Sequence, residues 1–338
     1  MTRLLLLTTL IFSLFLTSGQ NPTEAADKPT LVIYTYDGFA AEWGPAPKVK
    51  AEFEKTCDCV LDFVATDTSI GILRKIQLEG KNTKADIALG LDTNLIDVAN
   101  KTGLFAPHGA TFSNSALPIE WKEKTFLPFD YGHFAFVYNT EKLKNPPNSF
   151  EQLAETGEDF KIVIQDPRSS TPGLGLLLWV KELYGDKAVE MWKKLSPKIL
   201  TITKGWSESY KLFLKGEADM VLSYTTSPAY HLIAEEDERF KASIFDQGHY
   251  LQVEVAAMLK SSKQPKLARR FMQFVVSDRF QSIIPTTNWM FPATNPHPPL
   301  PSQFETLAQP NRTLLTDSAV VEKNRKNWIS EWQTAVTR

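Results

Sequence analysis

Hydroxyl and aromatic side chains are concentrated in one loop near the middle of the 338-residue chain. The apolar run Met220 to Leu222, which predicts a strand, is followed by four residues suited to contact a ligand: Tyr224, Thr225, Thr226 and Ser227. Pro228 prevents the strand from simply continuing. Because ligands bind beyond the strand ends of open α/β sheets, this loop is a candidate binding site. The alternative is an ordinary turn in an αβ unit.

A short helix is predicted just before this strand. Its apolar residues Tyr210, Phe213 and Leu214 fall three and four residues apart. Ser207 is expected to cap the helix, which places Trp206 beside the cap. The indole should therefore lie in the same region as the hydroxyl-rich loop.

A second loop of this kind follows the predicted strand Lys161 to Ile164. Pro172 suits a first helical position, with Ser170 or Thr171 as the cap of the helix that follows. A helix that begins directly after a strand exposes backbone N–H groups, which bind anions and strong hydrogen-bond acceptors. The two hydroxyls are candidate ligand contacts; the alternative is that they only cap the helix.

The first ninety residues predict a βαβ pattern that ends in similar turns. Strands are expected at Leu31 to Tyr36, Val60 to Val64 and Asp86 to Gly90. Thr68 and Ser69 stand before the helical run that follows the second strand, where their hydroxyls suit a cap. Three successive strands thus bring polar or aromatic turns to one sheet edge.

Aromatic residues recur at or near these predicted strand ends: Tyr36, Trp43, Trp206, Tyr224, Tyr230 and Trp289. Their faces suit a flat or cationic ligand, since each cation–π contact contributes about 0.5–2 kcal/mol. Asp37, Asp92 and Asp130 could supply the opposing charge. Taken singly, each aromatic is more typical of a core residue than of a ligand wall.

Other functional classes have no positive signal. The chain lacks the G-x-S-x-G, H-E-x-x-H, P-loop and G-x-G-x-x-G motifs, and its five histidines are scattered. Gly173 and Gly175 flank an apolar residue and are expected to allow close helix packing. With 37 Lys+Arg against 39 Asp+Glu, no basic patch for nucleic acid is indicated.

The N-terminus predicts export. Arg3 precedes an apolar run and then small residues, which is typical of a secretory signal peptide over residues 1–26, with cleavage after Gly19 or Ala26. The mature protein is expected in the periplasm without a lipid anchor. Cys57 and Cys59 could form a small disulfide ring or remain thiols, and no metal site is expected from them.

The order of the predicted elements indicates two lobes. Residues 27–133 and 250–338 are expected to form lobe 1, and residues 134–249 a second lobe inserted into it. Two strands, near residues 134–138 and 250–259, would connect the lobes and act as the hinge.

Several sequence segments resemble the thiamine-binding members of the periplasmic-binding-protein family, which serve bacterial ABC importers. These segments are YTYDGFAAEWGP, EGKNTKADIALGLDTNL, FDYGHFAFVYN, QDPRSSTPGLGLLLW, TKGWSESY, LSYTTSPAYH and NWMFPA. The resemblance covers essentially the whole mature chain. It implies a type II fold in which two α/β sheets are joined by hinge strands and the ligand lies in the cleft between the lobes. It also implies a monomer that is not an enzyme, needs no cofactor, and delivers thiamine or its phosphates to an inner-membrane permease and its ATPase.

Carried over by position, the ligand contacts of the family fall on twelve residues: Tyr36, Thr68, Ser69, Ser170, Thr171, Trp206, Tyr224, Thr225, Thr226, Ser227, Tyr230 and Trp289. The chain departs from the family at Thr68 and Ser69, where known members have Asp-Gly. The neighbouring Asp67 is a candidate to replace the missing carboxylate.

Two other functions remain as alternatives. A binding protein of the same fold could take a polyamine, iron(III) or an oxyanion, and iron would need clustered oxygen and nitrogen ligands. An exported enzyme that cleaves thiamine would need a cysteine nucleophile, and both cysteines precede a strand start, away from the predicted site.

Overall fold

The structure is a computed structural model that describes residues 28–113 and 115–337. The predicted signal peptide lies outside these ranges. Among the described residues, no helix combines the length and the apolar character needed to cross a membrane.

The described residues form twelve strands: β1 (Thr30–Tyr36), β2 (Val60–Thr66), β3 (Ile87–Asp92), β4 (Phe105–Ala106), β5 (Phe126–Asn139), β6 (Ile162–Gln165), β7 (Ile199–Thr203), β8 (Met220–Tyr224), β9 (Phe240–Ser243), β10 (His249–Leu259), β11 (Phe291–Pro292) and β12 (Thr313–Leu314). The central strands β3 and β10 are buried along their whole length. Most of their residues are apolar because both faces are covered, and the buried polar exceptions are Asp92, His249, Gln252 and Glu254.

The same residues form twelve α-helices: α1 (Asp37–Ala40), α2 (Ala46–Cys57), α3 (Ser69–Glu79), α4 (Ile96–Lys101), α5 (Phe150–Ala154), α6 (Thr171–Tyr184), α7 (Ala188–Leu195), α8 (Trp206–Leu214), α9 (Pro228–Ala234), α10 (Pro265–Val275), α11 (Asp278–Gln281) and α12 (Ser318–Val336). Most of the longer helices are amphipathic and bury one face on the sheets. Helix α6 is the exception, since residues 171–180 are all buried.

Side by side, the hydrogen-bonded strands follow the order β2-β1-β3-β10-β5-β8-β6-β7. Strands β1, β2 and β3 are mutually parallel, and so are β6, β7 and β8. Each parallel set therefore brings the carboxyl ends of its strands to one edge, where ligands bind in open α/β sheets.

Strand β5 belongs to both halves of this arrangement. Residues 126–133 pair with β10, whereas residues 134–139 pair with β8 and β9. The sequence indicated a strand over residues 134–138 only, because Pro128, Asp130 and Gly132 just before it are residues typical of turns. A 14-residue strand shared by two sheets is a continuous connection between them.

Most local predictions are confirmed. The βαβ unit at the N-terminus, the caps at Thr68 and Ser170, and helix α6 all occur where the sequence indicated. The cap expected at Ser207 is wrong: helix α8 begins at Trp206, with Gly205 as the residue before it and no side-chain cap. Pro228 also starts helix α9 rather than only ending the strand.

The two glycines of α6 permit close packing, as predicted. A Cβ atom at Gly173 would lie 2.5 Å from the backbone oxygen of Gln165, and one at Gly175 would lie 1.9 Å from the Phe134 ring. Both distances are far below van der Waals contact, so α6 could not approach β5 and β6 this closely with any larger residue.

Cys57 and Cys59 form a disulfide between the end of α2 and the start of β2. This resolves the choice between a ring and two thiols. The bridge lies at the opposite end of β2 from the turn that carries Thr68 and Ser69.

Candidate functional site

Two helix N-termini carry predicted ligand contacts. The Thr68 hydroxyl caps α3 by accepting a hydrogen bond from the Gly71 amide (3.2 Å), and Ser69 is the first helical residue. Ser170 caps α6 through the Gly173 amide (3.4 Å), and Thr171 follows it. Both caps form because a short hydroxyl side chain stands between a strand and an apolar helical run. Each end presents free backbone N–H groups that suit an anion or acceptor.

The loop after β8 is held in place by its own hydroxyl groups. The hydroxyls of Ser223 and Ser227 are 2.6 Å apart, and Ser227 also accepts from the Tyr224 amide. Trp206 donates its indole N–H to the Ser223 hydroxyl at 2.7 Å. The Thr225 hydroxyl oxygen is buried and makes no hydrogen bond to another described residue.

Aromatic rings from distant parts of the chain meet here. Tyr230 on α9 packs edge-on against Trp289, with ring centroids 5.2 Å apart. Trp289 has φ of 57°, a conformation that bulky residues rarely adopt, so the turn is strained where it delivers this ring. Tyr224 donates to Gln252 of β10 at 3.0 Å, and Tyr36 donates to Glu254 at 2.9 Å. By contrast, the Trp43 side chain is 57% exposed.

Three carboxyl groups lie in a row across neighbouring strands. Glu254 of β10 stands opposite Asp92 of β3 on one side and opposite Asp130 of β5 on the other. Directly opposed residues share a face of the sheet, so the three side chains project together. Asn288 ties the row to the aromatic wall: it donates to Asp130 (2.6 Å) and Glu254 (3.1 Å) and accepts from Tyr36 (3.1 Å).

Burial disfavours the charged forms of these groups. It raises the pKa of Asp130 to about 7, and burial together with the Asp130 charge raises the pKa of Glu254 well above its usual range. Burial also raises the pKa of Asp92, although the hydrogen bond from the Asn94 amide and, less strongly, the charge of Arg325 on α12 oppose that shift. Among the described residues, no lysine or arginine forms an ion pair with Asp130 or Glu254. The described side chains therefore provide no countercharge for the ionised forms of Asp130 and Glu254.

Contacts cross between the two sheets at the rim of this region. Lys204 forms an ion pair with Asp67. Arg74 of α3 donates to the backbone oxygen of Arg168 at 2.9 Å. Asp67 is exposed, and its carboxylate pairs with Lys204 and does not join the row of buried carboxyl groups. This position gives no support to the prediction that Asp67 replaces the aspartate found in the family.

The twelve predicted residues lie at strand ends, at helix starts or in nearby turns. Direct contacts join only some of them, such as Tyr230 to Trp289. Sequence reasoning missed Gln252, Glu254 and Asn288. A signal for two of them was present: Gln252 and Glu254 are polar residues two apart within the otherwise apolar residues 250–259, which places both on one face.

Comparisons with known proteins identify the class of protein. The family model for bacterial extracellular solute-binding proteins matches residues 37–282, and the chain belongs to that family. Its mixed α/β fold is that of the type II periplasmic binding proteins, as the sequence predicted. These are carriers of small solutes, not enzymes.

Several relatives share more than half of their residues with this chain. The chain is 55% identical to the thiamine-binding periplasmic protein of Escherichia coli (strain K12), over 92% of this chain and 94% of that protein. It is 51% identical to the thiamine-binding periplasmic protein of Brucella suis biovar 1, covering 98% and 99% of the two chains. A solved structure titled "Periplasmic thiamin binding protein" superposes with a TM-score of 0.89 at 55% identity, covering 92% of this chain and 97% of that chain.

Proposed function

We propose that this chain is the periplasmic component of an ABC importer that captures thiamine between its two lobes and delivers it to a membrane permease and its ATPase. The names of relatives that are more than 50% identical over nearly the full chain support this function. The observation on which it rests most directly is the pairing of aromatic rings with buried carboxyl groups that form no ion pair with any basic side chain in the described part of the chain. Thiamine combines two flat rings with one permanent positive charge, and it complements both features.

The carboxyl pair would neutralise the thiazolium. Both carboxyls are buried, with Glu254 accepting from the Tyr36 hydroxyl and Asp130 from Asn288, and a buried charge is stable only when it is paired. Tyr36, Tyr224, Trp206, Tyr230 and Trp289 would surround the two rings.

The hydroxyl-rich helix starts would receive the hydroxyethyl tail or its phosphate. Ser170 and Thr171 open α6, Thr68 and Ser69 open α3, and Thr225 to Ser227 complete the set. Backbone N–H groups at helix starts attract anions, so this end of the site suits the monophosphate and pyrophosphate as well as thiamine. No Asp-Gly occurs at residues 68–69, so the Thr68 and Ser69 hydroxyls would replace those contacts.

We place the lobe boundaries at residues 133/134 and 249/250. The change of partner along β5, from β10 to β8 and β9, supports the first boundary. Helix α12 is assigned to lobe 1 but also packs on α7 of the second lobe, with the Trp332 and Trp192 rings 6.3 Å apart.

The protein would act as a monomer in the periplasm after removal of residues 1–26.

The alternatives gain no support. In the described part of the chain, no group of three or more His, Cys, Asp or Glu side chains is arranged to hold a metal ion, so an iron(III) site built from these residue types has no support. A thiamine-cleaving activity would need a free cysteine, and Cys57 and Cys59 are bonded to each other.

Replacing Trp206 by Ala is expected to weaken thiamine binding by about 1–3 kcal/mol, roughly 5- to 150-fold, because the ligand loses one aromatic wall. Calorimetric titration of the ligand-free protein measures this. Trp121→Ala is the matched control, since that indole donates to the Phe126 backbone oxygen at the far end of β5. Equal affinity in the wild type and the Trp206 variant would remove this residue from the site.

A further inference from the structure

Four aromatic rings form a nearly parallel stack behind the proposed site. Trp206 stacks on Tyr210 with centroids 4.8 Å apart and planes inclined by 26°. Tyr210 lies 5.9 Å from His231 at 20°, and His231 lies 3.9 Å from Phe240 at 21°. The last three rings are buried, whereas Trp206 is only partly buried. The stack therefore runs from the interior of the protein to a partly exposed ring at the proposed site.

Hydrogen bonds fix the rings in the middle of the stack. The Nδ1 atom of His231 lies 2.6 Å from the Glu235 carboxylate, and its Nε2 atom lies 2.9 Å from the Tyr210 hydroxyl. Because a carboxylate only accepts, the proton of a neutral imidazole resides on Nδ1 and Nε2 accepts from Tyr210. Burial lowers the pKa of His231, which favours this neutral form.

The Trp206 indole is thus held at two points. Its edge donates to the Ser223 hydroxyl, which also contacts Ser227 in the loop after β8. One of its faces is covered by the Tyr210 ring. Only the opposite face of the indole can contact a ligand. The tilt of the indole ring depends on the position of the Tyr210 ring.

We propose that Tyr210 and His231 are positioning residues: they hold the Trp206 ring so that its free face is presented to the ligand, and they contribute to affinity only through Trp206. This inference rests on the proposed function. It assigns a binding role to two side chains that are themselves buried, and neither was a candidate site residue in the sequence.

A double-mutant cycle tests whether the effect passes through Trp206. Thiamine dissociation constants are measured by calorimetry for the wild type, Tyr210→Leu, Trp206→Leu and the double variant. We expect Tyr210→Leu to weaken binding about tenfold in the wild-type background and less than about twofold when Trp206 is already Leu, since contacting residues are not additive. Equal penalties in the two backgrounds would overturn the proposal, because they would indicate a general structural role.

Phe213→Leu is the matched control for loss of helix packing. Phe213 lies on the same helix and packs edge-on against Tyr210 at 5.9 Å, without a ring contact to Trp206. It should lower the melting temperature and leave the dissociation constant within about twofold, because leucine keeps an apolar side chain beside Tyr210 and the contacts of Tyr210 with Trp206 and His231 remain. A loss of affinity as large as that of Tyr210→Leu would contradict the specific role of the stack.

Tyr210→Phe provides a test that does not depend on a large cavity. It keeps the ring but removes the hydroxyl that donates to His231. With 5-fluorotryptophan incorporated and the Trp206 signal assigned by its loss in Trp206→Phe, we expect that ¹⁹F signal to shift in Tyr210→Phe and again on adding thiamine. An unmoved signal in Tyr210→Phe would refute positioning. A wild type that binds no thiamine would instead refute the proposed function itself.

Discussion

Replacing Asp130 by Asn together with Glu254 by Gln is expected to weaken thiamine binding by about 100-fold, or roughly 3 kcal/mol. The two carboxyls are buried, share the hydrogen bonds of Asn288 and have no basic partner among the described residues. The double variant keeps side-chain shape and removes only the capacity for negative charge. Calorimetric titration with thiamine at neutral pH measures the change.

The aminopyrimidine half of thiamine, which lacks the thiazolium, is the control ligand for this variant. Its affinity should fall much less, since it carries no permanent charge to be neutralised. An equal loss for both ligands would mean that the carboxyls shape the site and do not provide countercharge.

The same pair gives binding a pH dependence with a defined sign. Both folded-state pKa values are raised by burial, that of Asp130 to about 7, so the ligand-free protein retains protons that the unfolded chain would release. Its stability should therefore fall as the pH rises from the ordinary carboxyl range, about 4, through about 7. A cationic ligand favours the ionised pair, so thiamine affinity should rise in that window, by up to about tenfold per pH unit for each proton released. In the double variant, thiamine affinity should not change with pH in this window.

Replacing Gly175 by Ala is expected to destabilise the protein by roughly 1–3 kcal/mol or more and to weaken thiamine binding as well. The added methyl would lie 1.9 Å from the Phe134 ring, and this clash outweighs the roughly 1 kcal/mol that alanine gains within a helix. Phe134 in turn packs against Tyr224, with centroids 5.1 Å apart, so the displacement reaches the site. Chemical denaturation measures the stability and calorimetry the affinity.

Gly157→Ala is the matched control, because a Cβ atom there would meet nothing within 4 Å. It should leave both quantities unchanged within about 0.5 kcal/mol. If Gly175→Ala were equally neutral, the close approach of α6 to β5 would not be a requirement of the fold.

Local chemistry made part of this site predictable from the sequence. Thr68 and Ser170 each stand between a strand and an apolar helical run, and capping needs no information beyond a few neighbouring residues. Parallel strands then bring such turns to one edge by geometry alone. For this reason the residue types and their spacing were sufficient to indicate the starts of α3 and α6 and the loop after β8.

The carboxyl row could not be assembled in the same way. Asp92, Asp130 and Glu254 come from strands that are far apart in the chain, and only the register of β10 between β3 and β5 makes them neighbours. Asn288 joins them from a later turn. The sequence identified Asp92 and Asp130 as candidate charges, but nothing in it could show that Glu254 lies between them. The start of α8 was misjudged because Ser207 has the composition of a cap while the backbone turns at Gly205.

Titration of the ligand-free protein, after unfolding and refolding to remove bound solute, tests the central claim most directly. Thiamine, thiamine monophosphate, spermidine and ferric citrate are compared by calorimetry. Capture of thiamine predicts saturable one-site binding of thiamine with a dissociation constant below about 1 µM, and no saturable binding of spermidine or ferric citrate. Tight binding of either of those two without binding of thiamine would contradict the proposed function and leave only the two-sheet solute-binding fold.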